Sequence, residues 1–135
     1  HCGLYRSTDA GVHWQQIASP PPSGFGFAVA CDPVDPQRAW FVPAQADTHR
    51  YPVDGRMVVN RTDDGGASFQ TFSHGLPQAH AYHLVYRHCL ELAPDRQTLA
   101  MASTTGGLWI SADSGEQWHT VSQDLPPVAA LVFAA

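Results

Sequence analysis

The sequence has no lysine, only two glutamates, Glu91 and Glu116, and only three cysteines, at positions 2, 31 and 89. All seven basic residues are therefore arginine; they are scattered along the chain, and against twelve acidic residues they leave a net charge of −5. A nucleic-acid surface needs a concentrated basic patch, so this distribution argues against a nucleic-acid partner. Three cysteines without CxxC spacing do not make a disulfide framework; they leave room for one bridge and favour a reducing compartment, the cytoplasm. No run approaches the roughly 18 apolar residues of a membrane span, and nothing at the start reads as a secretory signal, so no membrane association is expected. Charged residues make up only 14% against 44% hydrophobic, which is too apolar for a disordered chain, while 11 glycines and 11 prolines exclude a helical bundle. A chain of 135 residues is expected to be one domain. It opens at His1 directly into strand-like residues, which suggests a natural start further upstream.

What the sequence does contain is a repeat. Three segments align without gaps, 3–14, 58–69 and 107–118, and each fits [Ser/Thr]-x-Asp-x-Gly-x-x-[Trp/Phe]. The first copy supplies Ser7, Asp9, Gly11 and Trp14, the second Thr62, Asp64, Gly66 and Phe69, and the third Ser111, Asp113, Gly115 and Trp118. Short apolar runs flank each copy, so the motif reads as the turn of a β-hairpin. An aspartate can accept hydrogen bonds from the N–H groups of its own turn, and glycine takes the positive φ that chain reversal requires. These aspartates are accordingly expected to hold turns rather than to act as catalytic acids.

This motif resembles the Asp-box, or BNR, repeat of sialidase-like β-propellers, which also occurs in sortilin-type receptors and photosystem assembly factors. The connections 50–56 and 75–82 resemble the C-terminal part of bacterial BNR-repeat proteins often labelled glycosyl hydrolase or exo-sialidase. The fold expected is all-β, a propeller segment of about three four-stranded blades. Its parts are a half blade at 1–19, blades at 25–74 and 88–123, and an extra strand at 128–134. In the middle blade, 25–31 reads as a buried inner strand. Propellers typically close with 4–8 blades, so the ring is expected to be completed by upstream sequence or by homo-oligomerisation.

The resemblance places ligand sites at the channel mouth, among loops between blades and between second and third strands. Two such loops are rich in functional side chains. Residues 43–56 carry Asp47, His49, Arg50, Tyr51, Asp54 and Arg56, and residues 76–88 carry His80, Tyr82, His83, Tyr86, Arg87 and His88. The candidate ligand-binding set is Arg50, Tyr51, Arg56, His80, Tyr82 and Arg87, for a carbohydrate or protein ligand, with no catalytic residue assigned and no cofactor. Solvated loops with arginines paired to Asp47 or Asp54 are the alternative. The favoured function is a non-catalytic binding module. The rival is a sialidase-like glycosidase, in which the arginines would fork a carboxylate, Tyr51 or Tyr82 would attack, and Asp47 or Asp54 would serve as acid. Against it, the family's catalytic set needs a Tyr–Glu pair, and both glutamates here fall in strand or turn segments. His80-x-x-His83 with His88 and Cys89 is the one metal-like grouping; residues three apart on a strand face opposite ways, so no metal site is expected. The Asn60-Arg61-Thr62 sequon lies within a strand and carries little weight.

Overall fold

The chain is described here as a computed structural model, covering residues 3–134. Strands β1 (Tyr5–Arg6) and β2 (Gln15–Gln16) form a hairpin. A four-stranded antiparallel meander follows, of β3 (Gly26–Cys31), β4 (Ala39–Pro43), β5 (Val59–Thr62) and β6 (Gln70–Phe72). A second consists of β7 (Leu90–Leu92), β8 (Leu99–Ala102), β9 (Leu108–Ser111) and β10 (His119–Ser122). Strands neighbour each other in sequence order, the topology of propeller blades, and no helix among the described residues is long and apolar enough to cross a membrane. Cys2 lies outside the described residues, and Cys31 and Cys89 are both unbridged.

The core lies between the two blades. Ala28, Trp40, Met57 and Val59 from the first meet Cys89, Leu99, Met101, Trp109 and Trp118 from the second. Near the axis, where β3 runs beside β7, the first blade places the small residues Ala28 and Ala30, which allow close approach.

The three turns are built alike. The hydroxyl of Ser7, Thr62 or Ser111 accepts the N–H of Gly11, Gly66 or Gly115 at 2.8, 2.8 and 2.9 Å. The same hydroxyl donates to Asp9, Asp64 or Asp113, whose carboxylate accepts the N–H of residue 13, 68 or 117 at 2.9 Å. The residue before each glycine, Ala10, Gly65 or Ser114, also has positive φ, so each turn contains two consecutive left-handed residues. Trp14 and Trp118 each donate Nε1–H to the carbonyl of their turn glycine at 3.0 Å, a bond that Phe69 cannot make.

A further repeated bond docks one blade on the next. Arg6 donates to Gly65 O, and Arg61, its counterpart one repeat on, donates to Ser114 O, both at 3.2 Å. Gly65 and Ser114 occupy equivalent turn positions, so the arginine before the hydroxyl residue clasps the turn of the following blade. Ile110 holds that place in the third copy and makes no such bond. Trp40 Nε1 also donates to Ser114 O at 2.8 Å, and Arg96 forks the buried Asp32 at 2.9–3.1 Å.

Two expectations need correction. Strand β3 is not buried on both faces: Ala28 and Ala30 point into the core, but Val29 is 47% exposed, because the hairpin before it offers only two strands to cover that face. Residues 128–134 do not form a strand. They make a single parallel bridge, His88 to Ala130, with Leu131 N–H donating to His88 O at 2.7 Å. Pro126 and Pro127 offer no N–H to a ladder, and no other strand of the described residues runs alongside. The low weight given to the sequon agrees with the structure: Asn60 is fully buried, donating to Pro21 O at 2.8 Å and accepting from the Thr71 hydroxyl at 2.7 Å.

Candidate functional site

Because the strands alternate in direction, the turns at 7–14, 62–69 and 111–118 share one end of the blades with the short β3–β4 and β7–β8 connections. The long connections β4–β5 and β6–β7 come out at the other end. They interlock there through backbone bonds: Met57 N–H to Pro77 O at 2.9 Å, and Ala81 N–H to Gly55 O at 3.0 Å. The Gln78 amide adds a bond to Met57 O at 2.7 Å. Loop 43–56 is further tightened by Gln45 N–H to Tyr51 O at 2.8 Å and by the short 3-10 turn Val53–Gly55.

This interlocking brings Tyr51 and Tyr82 together, edge to face, with ring centres 5.7 Å apart. They line a cleft of about 370 Å³ with Gln45, Asp54, Gly55 and His80. Tyr82 is 62% exposed, a large ring presented to solvent. Asp54 and His80 both have positive φ, at 54° and 52°, which costs a non-glycine residue roughly 1–2 kcal/mol. Ala10, Arg96 and Ser114 at the turn end share this conformation, so it does not set the cleft apart.

Beside the cleft lies a second cluster. The guanidinium groups of Arg50 and Arg87 stand over the ring of Phe27, 5.4 and 5.6 Å from its centre, with Phe25 and Tyr86 set edgewise against the same ring at 5.3 and 6.4 Å. Arg50 is also paired with Asp47 at 2.6 Å and donates to the Asp47 carbonyl at 2.9 Å. Arg87 meets no carboxylate among the described residues.

Of the candidate set, Tyr51, His80 and Tyr82 thus share the cleft, while Arg50 and Arg87 share the Phe27 cluster. Arg56 is exposed and belongs to neither. His83 lies deeper: half-buried, its Nδ1 is 2.6 Å from the Thr105 hydroxyl and 3.1 Å from that of Ser103, and its ring abuts Trp109. Burial lowers its pKa, favouring the neutral imidazole. Among the described residues no three His, Cys, Asp or Glu side chains gather as metal ligands would. Sequence reading missed Gln45, which carries no distinguishing signal, and Phe27, which sits in a segment that reads as core. A larger groove, about 510 Å³, lies between the first hairpin and the 62–69 turn, but Arg6 and the turn glycines that line it already form the blade junction.

No family model matches the chain, and no curated protein matches it significantly. Among solved structures, it is similar to the GH74 enzyme of Niastella koreensis, with a TM-score of 0.66 and 17% identity over 94% of this chain. The chain spans 19% of that enzyme's length. At this identity the likeness concerns architecture, and together with the two meanders it makes the chain a partial β-propeller.

Proposed function

We propose that the chain is a propeller module of the Asp-box type that binds a ligand at its loop end, with carbohydrate the favoured class, and that it does so without catalysis. The observation that carries this reading is the cleft of Tyr51, Tyr82, His80, Asp54 and Gln45, where the exposed Tyr82 ring and the half-buried Tyr51 ring adjoin hydrogen-bonding groups. Sugars present apolar C–H faces and a rim of hydroxyls, and a cleft of aromatic faces with a few polar groups matches both. The likeness to a GH74 enzyme is compatible with a carbohydrate ligand.

Hydrolysis normally requires two carboxyl groups facing one glycosidic bond. Asp54 is the one carboxylate lining the cleft, since Asp47 is engaged by Arg50. Titration calorimetry against a panel of oligosaccharides tests the binding reading. Binding is expected for the native chain and is lost in Tyr82→Ala; binding that survives in Tyr51→Ala/Tyr82→Ala would overturn the assignment. The sialidase-like glycosidase remains the second reading, favoured by the arginines and tyrosines on the loops. Release of new reducing ends by the native chain, abolished in Asp54→Asn, would establish it instead.

A further inference from the structure

We infer that the tyrosine cleft is a cation site, in which Asp54 and the rings of Tyr51 and Tyr82 hold the protonated amine of an amino sugar; this rests on the loop-end carbohydrate reading above. Asp54 is the carboxylate that lines the cleft, and no arginine of the described residues lines it. Of the twelve carboxylates, only Asp54, Glu91 and Asp124 take no hydrogen bond or ion pair among the described residues. A charge that the fold leaves unused, set beside two aromatic rings, is available to a ligand of opposite charge.

The geometry of the rings supports the same assignment. They are inclined at 65° with centres 5.7 Å apart. One cation can therefore lie, for both rings at once, within the roughly 6 Å over which an aromatic face attracts it. Gln45 and His80 line the same space, and their amide and imidazole can bond the hydroxyls of the sugar ring. The neighbouring arginines are held outside the cleft: Arg50 is paired with Asp47 at 2.6 Å, and Arg87 stands over Phe27. At longer range the net charge of −5 favours the approach of a cationic ligand over an anionic one. Asparagine, like aspartate, tolerates the positive φ of 54° at position 54, so Asp54→Asn removes the charge and leaves the turn in place.

The test measures binding of a glucosamine hexasaccharide, the same hexasaccharide with every amine acetylated, and hexalysine, in a buffer that keeps the sugar amines protonated. Each is titrated into the native chain and into Asp54→Asn, Asp124→Asn and Tyr82→Ala, with thermal melts confirming that each variant is folded. The free-amine sugar is expected to bind about tenfold tighter than its acetylated form, to weaken with salt, and to lose about tenfold in Asp54→Asn, with little change in Asp124→Asn. Equal affinity for the two sugars, an Asp54→Asn variant that binds like the native chain, or an equal loss in Asp124→Asn would overturn the cation site. Hexalysine that bound as tightly, with the same dependence on Asp54, would overturn the amino sugar as its occupant. If the acetylated sugar still bound in a Tyr82-dependent way, the loop-end reading would survive the loss of the cation site. Failure of both sugars to bind would overturn the two together.

Discussion

At the turn end of the blades three of the four arginines are hydrogen-bonded to the fold, and the fourth, Arg38, is paired by charge with Asp63. Arg6 and Arg61 reach carbonyls of the following turn, Arg38 lies 3.2 Å from Asp63, and Arg96 forks Asp32. At the loop end Arg87 rests on an aromatic face and Arg56 stands in solvent. Among aromatics the contrast follows blade contacts rather than the end of the blade: Trp118, packed between the two blades, is 1% exposed, whereas Trp14 in the first turn and Tyr82 at the opposite end are 63% and 62% exposed. The turn end repeats from blade to blade because its bonds maintain the architecture. The loop end does not repeat, and it presents side chains that the fold itself does not use. Side chains that fold stability does not require are the ones available to a ligand.

The contrast can be broken most strongly at Trp118. Its replacement by alanine empties the core between the blades and is expected to destabilise by about 3–5 kcal/mol in urea unfolding. Trp14, with the same hydrogen bond but 63% exposed, is expected to cost under about 1 kcal/mol. Equal losses would mean that the turn rather than the burial is what tryptophan contributes.

Next in size is the blade clasp. Arg61→Leu removes bonds to Ser114 O, Glu116 and Gln70, with an expected loss of about 1–3 kcal/mol. The loss is limited because Ser114 O keeps its bond from Trp40 and Glu116 is half exposed. Arg87→Gln should stay within about 0.5 kcal/mol of the native chain by the same assay.

Acid should also act on the turn end first. The Ser68 hydroxyl and N–H, with the Thr62 hydroxyl, hold the Asp64 carboxyl at about 2. Asp9 is lowered by its bonds from the His13 N–H and ring, and Asp95 by those from the Thr98 hydroxyl and N–H. The Arg96 fork lowers Asp32 further. These folded-state values lie below the unfolded value of about 3.9. Their contribution to stability is therefore complete above about pH 4 and falls away as the pH drops toward 2. Urea midpoints at pH 6, 4 and 3 should show this decline, and Asp64→Asn should make it shallower. The smallest effect expected is that of Tyr82→Ala on stability, which should be indistinguishable from zero within about 0.5 kcal/mol.

The turns were legible in the sequence because everything that builds them lies within seven residues of the hydroxyl: an acceptor, an acid, a glycine and an aromatic at fixed offsets. The partition into meanders was legible for the same reason, since each turn marks a hairpin. The clasp was less so. Arg6 and Arg61 stand in register in the aligned copies, yet their acceptors lie 59 and 53 residues away. Tyr51, His80 and Tyr82 could be nominated because they sit on long loops, but their convergence depends on the loop-to-loop bonds at Gly55 and Met57. Phe27 could not be nominated. The register shift between Gly26 and Ala28 lies at its position, and hydrophobic alternation carries no trace of such a shift. Residues 128–134 teach the converse lesson: an apolar run specifies a strand only where a partner edge is present.

The central claim, that the loop end and not the turn end receives the ligand, is tested most directly by amide chemical-shift mapping during titration with the oligosaccharide panel. Shifts concentrated at residues 45–56 and 80–88, with 7–14, 62–69 and 111–118 unmoved, are the predicted result. Shifts centred on the three turns, or on the groove beside Trp14, would contradict it.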